Sequence, residues 1–321
     1  MALIFVTRKI PDIGIQWMRD GGHEVVVSKK DGVLTPAELR KELAARPYDG
    51  IVCLLTDTID ASVLKAAPQL KIVSNYAVGY NNIDVKVLNE AGVIVTNTPG
   101  VLTDTVAEYT VSLILSVAKR ISEADRFTRA KKYKGWAPEL LLGSDLMGKT
   151  LGIVGAGRIG SGVAKRLANG FGMNICYHDI VRSEVLEEEV GCEFCASIEE
   201  LLQCSDVVSL HVPLLPQTKH LINEERLSLM KSSAYLINTS RGPVVDEKAL
   251  VSALKSGVIR GAGLDVFEAE PKLAKGLVKL DNVTVTPHIA SASEETRGKM
   301  SELVGFNINE FFLGHDAPNK V

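Results

Sequence analysis

A chain of 321 residues with 46% hydrophobic content is long enough to build two cores and too apolar to remain disordered. A formal net charge of −3, a pI near 6.1 and no Lys/Arg cluster offer nothing to a phosphate backbone, so a nucleic-acid partner is excluded. The opening "MALIFVTRKIPD" has too short an apolar run for a secretory signal, and no stretch approaches the length of a membrane span, so a cytoplasmic protein without membrane contact is expected.

From Leu3 to about Val95, the runs "LIFVTR", "HEVVV", "GIVCLL", "KIVSNY" and "VIVTN" read as strands, with helices such as "TPAELRKELAA" and "DVKVLNEAG" between them. Apolar strands separated by helices predict a parallel sheet covered on both faces. Next, "TDTVAEYTVSLILSVAKRISEADRFTR" keeps helical spacing over residues 103–129, which predicts one long helix, and the irregular stretch 130–148 follows it. A second series begins at "TLGIVGAGRIG" and continues through "NICYHD", "DVVSLHV", "AYLINTS", "GAGLDVF" and "NVTVTPH". Its helix "DEKALVSALKSG" has Asp246 as N-cap and Gly257 as C-cap. The fold class is therefore α/β, two doubly wound parallel-sheet domains of the flavodoxin-like or Rossmann kind. The last helix, "SEETRGKMSELVGFNINEFFLG", is capped by Ser293 or Ser291 and is expected to cross back to complete the first domain.

Of the five cysteines, Cys53, Cys176, Cys192, Cys195 and Cys204, all are expected as reduced thiols. Cys192 and Cys195 form a C-x-x-C in "GCEFCAS", but no second pair or His-x-x-His completes a zinc site. The two are read as one strand position and one loop position, and no metal is expected.

Gly155, Gly157 and Gly160 form a G-x-G-x-x-G directly after an apolar strand and opening a helix. Such glycines permit a tight turn and close approach of backbone N–H groups to a pyrophosphate. Asp179 ends the next strand, where a carboxylate accepts hydrogen bonds from an adenosine ribose and repels a 2′-phosphate. NAD is therefore favoured over NADP, with Arg182 three residues later as the one opposing feature.

Arg241 in "INTSRGPVVD", Asp265 and Glu270 in "GLDVFEAEP", and His288 in "TPHIAS" stand at the ends of successive strands of the same domain. Ligands of doubly wound sheets bind outside the carboxyl ends of the strands, so these residues are expected to share the cofactor's cleft. Hydride exchange between a nicotinamide and a carbonyl needs a proton donor near neutral pH, for which imidazole is suited. A carboxylate on the other ring nitrogen fixes the tautomer, and a guanidinium grips an anionic substrate at two points.

The order of the phosphate loop, "TSRGPVVDEKAL", "GAGLDVFEAEP" and "TPHIAS" resembles the D-isomer-specific 2-hydroxyacid dehydrogenases over nearly the whole chain. "VSNYAVGYNNIDV", "VTNTPGVLTDTVAE" and "GWAPELLLGSDLMGKTLGIVG" look most like their glyoxylate/hydroxypyruvate reductase branch. The resemblance implies an NAD(P)-dependent reduction of a small 2-oxo acid to the D-2-hydroxy acid, with Arg241, Glu270 and His288 catalytic. It implies a substrate-binding domain of residues 1–100 and 290–321, an NAD-binding domain of 101–289, and an active-site cleft between them. Cofactor contacts are implied for Thr105, Gly155, Gly157, Arg158, Ile159, Gly160, Asp179, His211, Val212, Pro213, Thr218, Thr239, Asp265 and His288. Leu54, Val78, Gly79 and Arg241 are implied to meet the substrate, and Trp136 to reach from one subunit of a homodimer into its neighbour's active site.

Two departures matter. Many reductases of the branch carry small or basic residues at the position of Asp179 and use NADP, and Leu215 stands where the family often has a hydroxyl residue. Two alternatives remain open on this reading: a dehydrogenase of another small anion such as phosphite, and a non-catalytic NAD-sensing scaffold like the superfamily's corepressors. A formate dehydrogenase is disfavoured by Glu270, since those enzymes carry glutamine there.

Overall fold

The computed structural model describes all 321 residues and divides them into two compact units, Met1–Leu102 with Ala292–Val321, and Thr103–Ser291.

In the first unit the chain alternates β1 (Leu3–Val6), α1 (Asp12–Asp20), β2 (Glu24–Val27), α2 (Pro36–Ala44), β3 (Gly50–Cys53), α3 (Ala61–Ala66), β4 (Ile72–Asn75), α4 (Val85–Glu90) and β5 (Ile94–Thr96). All pairings are parallel, in the order β2-β1-β3-β4-β5. Strand β3 is buried at every position, which is why it reads as a continuous apolar run rather than an alternating one, and β4 is buried throughout as well, its polar Ser74 and Asn75 included. The helices begin where the sequence offers caps: Thr35 and Glu38 form a capping box on α2, Asp60 caps α3 and Asp84 caps α4.

The second unit opens with α5 (Thr103–Ala118) and α6 (Ile121–Arg129), then β6 (Thr150–Val154), α7 (Arg158–Phe171), β7 (Asn174–His178), α8 (Glu184–Val190), β8 (Glu193–Phe194), α9 (Ile198–Cys204), β9 (Val207–Leu210), α10 (Glu224–Leu229), β10 (Tyr235–Asn238), α11 (Glu247–Ser256), β11 (Gly261–Leu264) and β12 (Val283–Val285). Its sheet runs β12-β11-β10-β9-β6-β7-β8, all parallel, so the strand order reverses between β6 and β9. That reversal is the switch point at which doubly wound sheets bind ligands. Alternate residues of β10 enter different cores, Leu236 one and Tyr235 and Ile237 the other, so the sheet is covered on both faces. Each fully buried aliphatic side chain stabilises these cores by roughly 1.5–3 kcal/mol.

The single long helix predicted over 103–129 is a correction: the structure breaks it between α5 and α6. Arg120 stands in the left-handed region at φ +57°, and the Ala118 carbonyl accepts the Ser144 N–H at 2.8 Å. A tertiary bond thus takes the carbonyl that the next helical turn needs, while the Arg120 guanidinium turns to Glu123 at 2.7 Å.

The last helix, α12 (Glu294–Phe312), is capped by Ser293 and packs in the first unit on α1. A Cβ at Gly14 would stand 1.9 Å from the Ser301 carbonyl oxygen, so only glycine permits this approach. No helix is long and apolar enough to cross a membrane.

Candidate active site

The phosphate loop follows β6, and its three glycines do three different jobs. Gly155 has φ +96° and lies against the His211 backbone, so it needs glycine for both conformation and space. A Cβ at Gly160 would meet the Gly155 carbonyl oxygen at 2.1 Å, which packs the first turn of α7 on the loop. A Cβ at Gly157 would meet nothing within 4 Å. That open position, at the N-terminus of a 14-residue helix, is what a pyrophosphate needs to approach the backbone, so the residues fit a dinucleotide. Arg158 and Ile159 begin that helix.

Asp179 stands one residue beyond β7 and ties the loop to its neighbour strand. One carboxylate oxygen accepts the Ala156 N–H at 2.7 Å and the other the Ile180 N–H at 2.7 Å. Ala156, Gly157, Asp179, Val181, Arg182 and Val185 border an open hollow of about 450 Å³. Arg182 is engaged elsewhere, in a two-point pair with Glu187 at 2.8 Å and with its guanidinium 5.8 Å from the Phe194 ring centre. The Arg182 and Tyr177 hydrogen bonds hold the Glu187 carboxyl down at about 2.

Across the switch point, His211, Val212 and Pro213 follow β9. His211 Nε2 lies 2.8 Å from Ser209 Oγ, and burial pushes the imidazole down to about 3, so it is a neutral group. Thr218 closes the same loop, donating to the Pro213 carbonyl at 2.6 Å and accepting from the Leu215 N–H at 2.8 Å. Thr239 directly follows β10 and lies 2.9 Å from Thr110 Oγ, whose own proton goes to the Val106 carbonyl; Thr239 is therefore the donor. Thr105 lies in the first turn of α5.

Arg241, Asp265 and His288 follow β10, β11 and β12 in turn. Burial lowers the Arg241 guanidinium from its ordinary value, and the Glu270 carboxylate works against that. The Arg241 loop is pressed onto the Glu270 loop, because a Cβ at Gly242 would stand 1.9 Å from the Phe267 backbone.

Asp265 is wholly buried and organises the turn that carries His288. One oxygen accepts the Thr286 hydroxyl at 2.7 Å and the Ile289 N–H at 2.9 Å, and the other accepts the Ala290 N–H at 2.8 Å. His288 itself has φ +55°, a conformation costing a side-chain-bearing residue roughly 1–2 kcal/mol. Its N–H donates to the Asp265 and Thr286 carbonyls, so bonds on both sides of the residue impose the strained geometry.

The result is that His288 Nδ1 lies 2.9 Å from Glu270 Oε2, while Glu270 Oε1 accepts the Phe267 N–H at 2.9 Å. Burial alone would raise the Glu270 carboxyl, but the His288 and Phe267 hydrogen bonds and the His288 and Arg241 charges outweigh it, and the net shift is downward. Glu270 is therefore a carboxylate at neutral pH, held against one ring nitrogen. The other nitrogen, Nε2, is left for chemistry.

Sequence reasoning missed Glu247. It reads as an ordinary first-turn acid of α11, yet it is buried, accepting the Glu268 N–H at 2.6 Å and the Ala274 N–H at 3.2 Å. It braces the loop on which Glu270 sits. The only signal was its place three residues after the "GPV" turn that follows Arg241.

In the first unit, Leu54, Val78 and Gly79 lie on loops after β3 and β4. Asn97 Nδ2 donates to the Val78 carbonyl at 2.8 Å, Asn75 Nδ2 to the Gly79 carbonyl at 3.0 Å, and Asn82 Nδ2 to the Leu54 carbonyl at 3.1 Å. The N–H groups of Val78 and Gly79 make no hydrogen bond within the chain. Trp136, in the stretch after α6, is 84% exposed.

The sequence profile of the D-isomer-specific 2-hydroxyacid dehydrogenase NAD-binding domain matches residues 111–290. A glyoxylate reductase of Korarchaeum cryptofilum is 51% identical over 320 residues, 99% of this chain and 95% of that protein. Among solved structures, the TT0316 protein of Thermus thermophilus superposes with a TM-score of 0.92 at 44% identity, covering 99% of each chain. An NADPH-dependent glyoxylate/hydroxypyruvate reductase of Sinorhizobium meliloti, solved with NADP and malonate, gives a TM-score of 0.85 at 34% identity, covering 100% of this chain and 96% of the other. Fold, motif order and these likenesses agree, and the chain belongs to the D-isomer-specific 2-hydroxyacid dehydrogenases, in their glyoxylate reductase branch.

Proposed function

We propose that this protein reduces a small 2-oxo acid of the glyoxylate or hydroxypyruvate kind to its D-2-hydroxy acid, reversibly, with NADH preferred over NADPH. The observation that carries the reading is the pair of His288 Nδ1 and Glu270 Oε2 at 2.9 Å, beside the half-buried Arg241 and at the strand ends of a dinucleotide-binding sheet. The bound nicotinamide supplies the hydride. Arg241 holds the substrate's carboxylate and polarises its carbonyl, in the two-point manner a guanidinium allows. His288 donates a proton from Nε2 to the oxygen that becomes the alcohol, and Glu270 keeps the ring in the orientation that this requires. The N–H groups of Val78 and Gly79 bind the carboxylate, with Leu54 beside them. Asp265 serves the cofactor's carboxamide end as well as the His288 turn.

The preference for NADH rests on Asp179 and on the Arg182 guanidinium being paired with Glu187, which leaves it a poor partner for a 2′-phosphate. A cytoplasmic homodimer completes the reading, with the exposed Trp136 covered by the neighbouring subunit. The test is NADH consumption against a panel of glyoxylate, hydroxypyruvate, pyruvate and larger 2-oxo acids, repeated with NADPH. Turnover of the small acids, with the higher kcat/KM on NADH, is the expected result. Turnover of none of them overturns the reading, and a preference for NADPH overturns the role given to Asp179.

A further inference from the structure

The C-x-x-C at Cys192 and Cys195 is not a unit in the folded chain. Cys192 packs in one core of the second unit with Tyr177 and Leu186, and Cys195 in the core on the other face with Cys176. What the fold assembles instead is a set of three sulfurs from three separate places: Cys176 in the middle of β7, Cys195 just after β8, and Cys204 at the end of α9. Their Sγ atoms all lie within 4.8 Å of one another, and Cys176 and Cys204 are 3.3 Å apart. All three are free thiols.

The surroundings suit an ion. Cys176 and Cys195 are buried, whereas Cys204 is exposed, so the cluster is walled on one side and open to solvent on the other. Ser205 Oγ lies 3.5 Å from Cys176 Sγ and 3.9 Å from Cys204 Sγ. It spends its proton on the Leu201 carbonyl at 2.6 Å, which leaves lone pairs, not a donor, on the sulfur side. Zinc–thiolate bonds are about 2.3 Å long, so three thiolates around one such ion stand roughly 3.7–4.0 Å apart. The cluster reaches that spacing with small side-chain movements.

From this geometry we propose that Cys176, Cys195 and Cys204 form a binding site for a thiophilic divalent d¹⁰ cation, zinc or its heavier congener cadmium. Three thiolates hold the ion, and water or Ser205 Oγ fills the fourth position on the open side. The ion acts as a clasp and takes no part in the hydride reaction. It ties the loop after β8 and the end of α9 to β7, the strand whose end carries Asp179. The backbone already joins these parts, since the Cys195 N–H donates to the Tyr177 carbonyl at 2.8 Å and His178 Nδ1 lies 3.0 Å from the Cys195 carbonyl oxygen.

The test uses the full chain, reduced and freed of metal by a chelator, titrated with cadmium alone. Thiolate-to-cadmium absorption in the ultraviolet is expected to saturate at one ion per chain, with a rise in Tm, and both are expected to reverse on adding chelator. Cys204→Ser, at an exposed position that folding tolerates, and Cys195→Ala should each weaken binding by at least the roughly 10–100-fold that loss of a supporting partner costs a metal site. Cys192→Ala should bind as wild type does. Absence of the absorption, wild-type affinity in Cys204→Ser or Cys195→Ala, or loss of binding in Cys192→Ala would each overturn the proposal. A Cys176–Cys204 disulfide formed under mild peroxide, in a protein that takes up no cadmium when reduced, would assign the cluster to thiol oxidation and also overturn it.

Discussion

In the first unit the buried Asp57 accepts the Leu54 N–H and the Thr7 hydroxyl; in the second the buried Asp265 accepts the Ile289 and Ala290 N–H groups and the Thr286 hydroxyl. Each unit thus pins its strand-end loops with one buried aspartate and one threonine. Burial raises the carboxyl of both. What the pinned loops display differs. The first unit displays backbone N–H groups whose carbonyls are tied back by Asn75 and Asn97, a dipolar cradle that does not titrate. The second displays the side chains of Arg241, Glu270 and His288. On the proposed reading, binding by backbone and chemistry by side chains reside in different units, and they should fail in different ways.

The largest separation between the two comes from His288→Ala. Removal of a general acid costs roughly 10²–10⁴-fold in kcat, while NADH affinity, read by fluorescence titration, should stay near that of the wild type. Turnover that survives the substitution would remove the histidine from the mechanism. Glu270→Gln is next. It keeps a group able to hydrogen-bond the imidazole but loses the charge, and hydrogen bonds to charged groups are worth about 1.5–3 kcal/mol, so kcat should fall about 10–100-fold with KM little changed. A rise in KM alone would make Glu270 a binding residue. In the first unit, Asn97→Ala frees the Val78 carbonyl and loosens the cradle. KM for the 2-oxo acid should rise several-fold to about tenfold at nearly constant kcat, the worth of one hydrogen bond of about 1 kcal/mol. A fall in kcat without a change in KM would erase the division of labour between the units.

The residues that carry this comparison were unequally legible in the sequence. The phosphate loop, Asp179 and the Asp246 and Gly257 caps were readable because each depends on local geometry, a turn or a helix end, that its own neighbours determine. Arg241, Glu270 and His288 were readable because parallel strands bring their ends together in a known order. The break at Arg120 was not, because apolar periodicity runs on through it and the interrupting bond comes from Ser144, 24 residues further on. Glu247 was hidden for the same kind of reason: an acid in a first helical turn is ordinarily solvated, and only the path of the 268–274 loop buries it. The cysteine cluster was the least legible: Cys192 and Cys195 read as one strand and one loop position, whereas both flank β8 and pack on opposite faces of the sheet, and Cys195 finds its partners 19 residues before it and 9 after it.

The smallest effect is also the sharpest, because its sign differs between two acids of the same unit. The Glu270 carboxyl lies below its ordinary value of 4.5, so the folded protein holds its proton less tightly than the unfolded chain. Its contribution to stability is present above that ordinary value and is lost as pH falls through the lowered one. The Asp265 carboxyl lies above its ordinary value of 3.8, so its contribution is present below that value and is lost as pH rises through the raised one. Denaturant unfolding of Glu270→Gln and Asp265→Asn, each against the wild type from pH 3.5 to 7, should therefore diverge. The penalty of Glu270→Gln should grow as pH rises across the acid range, and that of Asp265→Asn should shrink, each by no more than about 1.4 kcal/mol per pH unit for one proton. Penalties that moved in the same direction would mean that Asp265 gains more from the Ile289 and Ala290 N–H groups and the Thr286 hydroxyl than burial costs it, making the turn around His288 an anion-stabilised structure of the same kind as the Glu270 pair.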